Sequence, residues 1–169
     1  MAQAHPKPGL RPFLPADVPM LAAIFVASIQ ELTGDDYSEA QQQARMAAAQ
    51  DEEFGKRLAS DLTLIATLDG SPVGFASLRG ADHIRMLYVH PAVGRQGIAT
   101  MLVDALEKLA GGRGAAALSV DASDTAQGFF AKRGYVPMQR NSVTINDEWL
   151  ANTTMKKTLG TGPASGAPQ

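Results

Sequence analysis

Apolar positions recur along the chain with two periods, and the switches between them outline the elements. Leu21, Ile24, Phe25, Ile29 and Leu32 form a stripe that predicts a helix over Val18–Leu32. Gly34-Asp35-Asp36-Tyr37 breaks it. Ser38, with Gln41 three residues on, forms a capping box for an Ala- and Gln-rich helix running to about Gln50. Residues 51–60 are a candidate for a further short helix. From Leu62 the pattern becomes that of strands. Residues 62–68 and 72–78 flank Asp69-Gly70, a hairpin signal, and 83–89 follow a second turn. Ile98, Met101, Leu102, Ala105, Leu106 and Leu109 then restore the helical stripe, which Gly111-Gly112 is expected to end. The remainder reads as a strand over 115–120, a short helix over 124–132 and two closing strands over 135–140 and 148–158. A short strand over 10–14 opens the series.

The order is thus β-α-α-β-β-β-α-β-α-β-β. It describes a mixed α/β fold with a mostly antiparallel central sheet and helices on both faces. Residues 10–159 form one expected domain. Residues 1–9, with their prolines, read as a flexible N-terminal arm, and 160–169 as a disordered C-terminal tail.

Composition narrows the function classes. With 169 residues, the chain is long enough for one well-buried core. A net charge of −2 and the lack of any Lys/Arg cluster leave no electrostatic footprint for nucleic acid. There is no cysteine, which removes disulfides, thiolate metal sites and a cysteine nucleophile together and fits a cytoplasmic location. The apolar run over 21–29 is too short to cross a bilayer, so no membrane partner is expected. No metal-ligand spacing, Walker loop or Rossmann fingerprint occurs.

The stretch from Met86 to Ala110 carries the chemistry. A short apolar strand stops at His90-Pro91, a small-residue loop follows, and a helix begins near Ile98. Free amides and the positive dipole end make such a helix start a site for phosphate. Gly94, Gly97 and Ala99 keep bulk away from it, and Arg95 adds a forked cation. Without a ligand, the same residues would make a tight strand-to-helix turn.

Gly94-Arg95-Gln96-Gly97-Ile98-Ala99, preceded by Leu87-Tyr88-Val89-His90-Pro91, resembles the acetyl-CoA signature of the Gcn5-related N-acetyltransferase superfamily. Gly97 and Ala99 match its two small positions, whereas Gly94 stands where the signature has Gln or Arg. Residues 126–135 resemble the family's Ala-x-x-Phe-Tyr-x-Lys-x-Gly-Phe segment, and 153–157 its last strand.

The resemblance implies transfer of acetyl from acetyl-CoA to a primary amine by direct attack, through a tetrahedral intermediate. The acceptor would be a small molecule or a peptide amine, and the protein a monomer or homodimer. Leu87, Tyr88 and Val89 would lie on a strand splayed from its neighbour. A backbone N–H of Leu87 or Tyr88 would hold the developing oxyanion. Gly94 through Thr100, that is Gly94, Arg95, Gln96, Gly97, Ile98, Ala99 and Thr100, would take the pyrophosphate. Ser123 stands where the family often has an Asn on pantetheine, and Phe129 and Phe130 would flank the cofactor arm. His83 falls near the family's frequent Glu base, with Arg85 on the same face. Phe130 occupies the place of the frequent Tyr acid. Tyr37, beside Asp35, Asp36 and Glu39, is a second catalytic candidate near the acceptor pocket. The missing Tyr also leaves open a non-catalytic acyl-CoA sensor or regulatory module.

Overall fold

A computed structural model describes residues 6–94 and 96–160. Its seven strands are β1 (Pro8–Pro12), β2 (Leu62–Leu68), β3 (Ser71–Arg79), β4 (His83–Val89), β5 (Ala117–Ser123), β6 (Val136–Ile145) and β7 (Glu148–Thr158). They form one sheet in the order β1-β2-β3-β4-β5-β7-β6. Every neighbouring pair is antiparallel except β4 with β5. The helices are α1 (Val18–Leu32), α2 (Glu39–Ala47), α3 (Glu52–Ser60), α4 (Ile98–Gly112) and α5 (Gln127–Lys132).

Two apolar layers sandwich the sheet. On one face Leu102, Val103 and Leu106 of α4 and Phe130 of α5 pack on Ala76, Ile84, Leu118 and Val120. On the other, Leu21, Phe25 and Ile29 of α1 and Phe54 and Leu58 of α3 pack on Ile65, Phe75 and Met86. Alternation along the strands explains the division, since successive residues such as Ile65 and Ala66 enter opposite layers. Pro15–Leu32 is long and apolar enough to span a bilayer, but Leu21, Ile24 and Ile29 are buried in this second layer.

The expected element types are all present, and several boundaries move. The first strand begins at Pro8, so Pro8 and Gly9 pair with β2 and are not arm; residues 1–5 and 161–169 lie outside the described residues. The candidate short helix over 51–60 is present as α3, so three helices separate β1 from β2 where the expected order counted two, and the second ends at Ala47 in a 3-10 turn over Ala48–Gln50. The Ser38–Gln41 capping box forms in both directions, at 3.1 and 2.8 Å. α4 runs through Gly111 and Gly112; the left-handed residue that ends it is Gly114. β5 starts and ends later than the pattern suggested, and β6 continues to Ile145, where Asn146 and Asp147 make the turn.

Two features of β4 position the site. The register jumps so that Ser77 faces Met86 while Leu78 faces Ile84, leaving Arg85 as a bulge. Gly74 on β3 lies under the end of β4 and the start of α4. A Cβ there would stand 3.1 Å from the Tyr88 carbonyl and 3.2 Å from the Ile98 side chain, so the absence of a side chain permits this close seating.

Candidate active site

β4 and β5 pair only through His83↔Ser119 and Ile84↔Val120. Beyond Ile84 the strands part, and the gap is lined by Leu87 and Tyr88 on one side and Ala122 and Ser123 on the other. The expected splay is therefore present. Its cleft continues past Val89, Ala99, Ser123 and Phe129, which brings four of the expected cofactor residues to one wall.

The cleft leads to the start of α4. Gly97 is the N-cap, in left-handed geometry with φ of +80°. The first helical bond runs from the Met101 N–H to the Gly97 carbonyl at 3.0 Å, so the Ile98, Ala99 and Thr100 amides have no acceptor within the helix. Among the described residues, an ideal Cβ at Gly97 would meet nothing within 4 Å beyond its chain neighbours, so none of them covers this side of the helix start. The Ile98 side chain is buried in the core, and only its backbone is available to a ligand. Gly94 closes a 3-10 turn by donating to the Pro91 carbonyl, and His90 shapes the same turn by accepting from Ala92. Arg95 lies outside the described residues. Gln96 lies in the bend between Gly94 and Gly97.

Ser123 accepts from the Ala126 N–H at 3.1 Å, which leaves its own hydrogen free to donate. Phe129 reaches the cleft wall. Phe130 is 2% exposed and stacks edge-on against Phe129 and Tyr135, so packing accounts for most of its surface.

His83 stands at the closed end of the splay. Its Nδ1 lies 2.7 Å from Ser119 Oγ, and its Nε2 lies 3.8 Å from the Asp121 carboxylate. Burial is the main influence and lowers the imidazole below its ordinary pKa, with Arg79 adding to the effect and Asp121 and Asp82 opposing it. Asp121, which the sequence reading passed over, also accepts from Thr154 at 2.6 Å. It hid because a single Asp in a strand gives no local signal; only the pairing of β4 with β5 brings it to His83.

Tyr37 is placed differently from its expected role. Its hydroxyl donates to the Ala151 carbonyl at 2.7 Å and accepts from the Asp124 N–H at 2.8 Å. It thereby ties the α1–α2 loop to β7 and to the start of the α5 turn. Burial raises its pKa, which keeps the phenol protonated. Asp36 binds the Thr125 hydroxyl, and Asp35 and Glu39 are exposed. Tyr37→Phe strips two buried backbone groups of their partner and is expected to cost about 1–2 kcal/mol. Urea unfolding would show it as a lower midpoint with unchanged slope.

Arg85 forks onto Asp61, with 2.9 and 3.1 Å contacts, and is neutralised there. Arg45 on α2 also enters the site. It donates to the Tyr88 hydroxyl at 2.8 Å and lies 5.7 Å from the centre of the Tyr37 ring.

A mixed sheet opened between its one parallel pair, beside the start of a glycine-capped helix, is the fold of the acetyltransferase class. The model of the acetyltransferase (GNAT) domain family matches residues 33–159, and the chain belongs to the Gcn5-related N-acetyltransferase family. It is 31% identical to the uncharacterized N-acetyltransferase YafP of Escherichia coli, over 87% of this chain and 93% of that one. A crystal structure of a Gcn5-related N-acetyltransferase from Rhodopseudomonas palustris is 63% identical, with a TM-score of 0.89 over 94% of this chain and all of the other. The PaiA N-acetyltransferase of Thermoplasma acidophilum, solved with coenzyme A, shares the fold, with a TM-score of 0.74 at 17% identity over 90% of this chain and 99% of that one.

Proposed function

We propose that the protein transfers the acetyl group of acetyl-CoA to a primary amine. The observation that carries this is the continuity of the β4–β5 splay with the unpaired Ile98, Ala99 and Thr100 amides. The residues fit the cosubstrate: the amides and the open space over Gly97 suit a diphosphate, and Leu87, Tyr88, Ser123 and Phe129 line a cleft for an extended arm. Acetyl-CoA supplies an activated acyl group in the form of a thioester.

The chain's own groups do the rest. A backbone N–H of Leu87 or Tyr88, held in place by the pairing of β4 with β3, donates to the carbonyl oxygen as negative charge grows on it. His83, neutral at pH 7, takes the ammonium proton at Nε2 through water, since it lies four residues along β4 from Leu87. In that tautomer Nδ1–H donates to Ser119 Oγ, which lies 3.4 Å from the Asp82 carbonyl and passes its own hydrogen there. Asp121 attracts the ammonium and steadies the imidazolium once formed.

The deciding experiment is a thermal melt with acetyl-CoA and with free CoA, followed by a thiol-release assay with added amines. Ligand at a hundredfold excess over Kd should stabilise the fold by about 2.7 kcal/mol, and amine should accelerate thiol release. A melt that does not move overturns the reading. Because Phe130 brings no hydroxyl to the site, a CoA-binding module without catalysis is the second reading. A shift in the melt with no amine-dependent thiol release would favour it.

A further inference from the structure

Arg45 is a strong charge in the acceptor half of the site that the mechanism above does not use. Its guanidinium sits under cover. Nη2 donates to Tyr88, while Nη1 is buried without a hydrogen-bond partner. Among the described residues it forms no ion pair. Arg85, its neighbour in the pocket, is neutralised by Asp61, and Asp121 is occupied by Thr154 and His83. Glu39 and Asp51, the acids nearest in sequence, are exposed.

A buried guanidinium with an unmet donor and no counter-charge is costly unless something else supplies the anion. Tyr88 accepts from Arg45 and so keeps its own hydrogen to give. Arg45 and Tyr88 both line the pocket, so the guanidinium charge and the Tyr88 O–H stand together on one side of it. Asp121 presents an anion on another, with His83 Nε2 3.8 Å behind it. Val143, Ile145 and Leu150 give one apolar stretch of wall, Arg85, Ser123 and Asn152 join the lining, and the cavity of about 240 Å³ suits a small molecule. A phosphate of CoA is the wrong occupant for Arg45, since the unpaired amides that suit phosphate are those at the start of α4.

We propose that the acceptor is a small amine that also bears a carboxylate, an amino acid with an apolar side chain, and that Arg45 and Tyr88 bind that carboxylate. The proposal rests on the acetyltransferase reading of the same site. The amine end lies toward Asp121 and the carboxylate toward α2, so that Arg45 selects the substrate and orients it.

The test is a set of apolar α-amino acids, each paired with its amide, which has the same shape and amine but no carboxylate. Turnover is read as thiol release, and binding as a thermal shift in the presence of CoA. The wild type should favour acid over amide by about 10-fold to 100-fold in kcat/KM, chiefly through KM. Arg45→Gln should bring that ratio close to one while the melting shift caused by acetyl-CoA persists. Tyr88→Phe should lower the ratio in part, and it serves as the second probe if Arg45→Gln folds poorly. Amides used as well as acids, or a ratio unchanged in Arg45→Gln, overturns the proposal. So does a protein that binds acetyl-CoA and acetylates only amines without a carboxylate, which leaves the enzyme reading intact. Acids that bind in an Arg45-dependent way with no acetyl-CoA shift would uphold the anion site and sink the enzyme reading. If neither ligand binds, both fall.

Discussion

Gly97→Asp is expected to weaken acetyl-CoA binding by about 100-fold, since a like charge set against an anionic ligand costs several kcal/mol. Its value lies in what it spares. Gly97 is left-handed, but Asp tolerates that region better than most residues. Among the described residues, chain neighbours aside, no atom lies within 4 Å of the new Cβ, so the cost is backbone strain and not a clash. The unliganded variant should therefore fold and melt modestly below the wild type, while titration calorimetry on the folded protein shows the loss of acetyl-CoA affinity. Unchanged affinity would mean that the amides of Ile98, Ala99 and Thr100 do not hold the diphosphate.

His83→Gln is expected to lower kcat by about 100-fold to 1000-fold, the range for removing a general base. The pH profile gives the sharper reading. Burial depresses the His83 pKa from 6.5, so the base is neutral at pH 7 and is lost only as the pH falls below that value. The part of the wild-type acid limb that belongs to His83 should thus lie below pH 6.5 and vanish in the variant; whatever remains belongs to the amine itself. Stability follows the same sign. Between the depressed native pKa and 6.5 the unfolded chain binds the proton and the native one does not, so wild-type stability falls as the pH drops through this window. The variant should lack that part of the fall. A kcat within a few-fold of wild type would remove His83 from the proton path.

The sequence made the scaffold legible because its signals are local. The capping box at Ser38, the turns at Asp69-Gly70 and Asn146-Asp147, and the stripe from Ile98 to Leu109 each depend on residues a few positions apart. The glycine loop was legible for the same reason. The boundary errors arose where tertiary pairing overrides local preference. β6 runs on to Ile145 because β7 pairs with it throughout, and α4 absorbs two glycines because its buried face continues to Ala110. The polar side of the site was harder to read. Asp121 is 38 residues from His83 and Arg45 is 43 from Tyr88, separations at which no periodicity speaks. Tyr37 was singled out for its phenol, yet the fold uses that hydroxyl for two backbone bonds. A tyrosine in a loop gives no sign of which use it serves.

The short seam between β4 and β5 carries a mechanical consequence. Four strands lie on one side of it and three on the other, joined directly by two residue pairs. The sheet is two leaves on a narrow spine. Under the proposed function, a molecule bridging Leu87 and Ser123 would act as a missing rung of the ladder. Rigidity would then be a property of the turnover cycle, gained when the rung is inserted and given up when the spent thiol leaves.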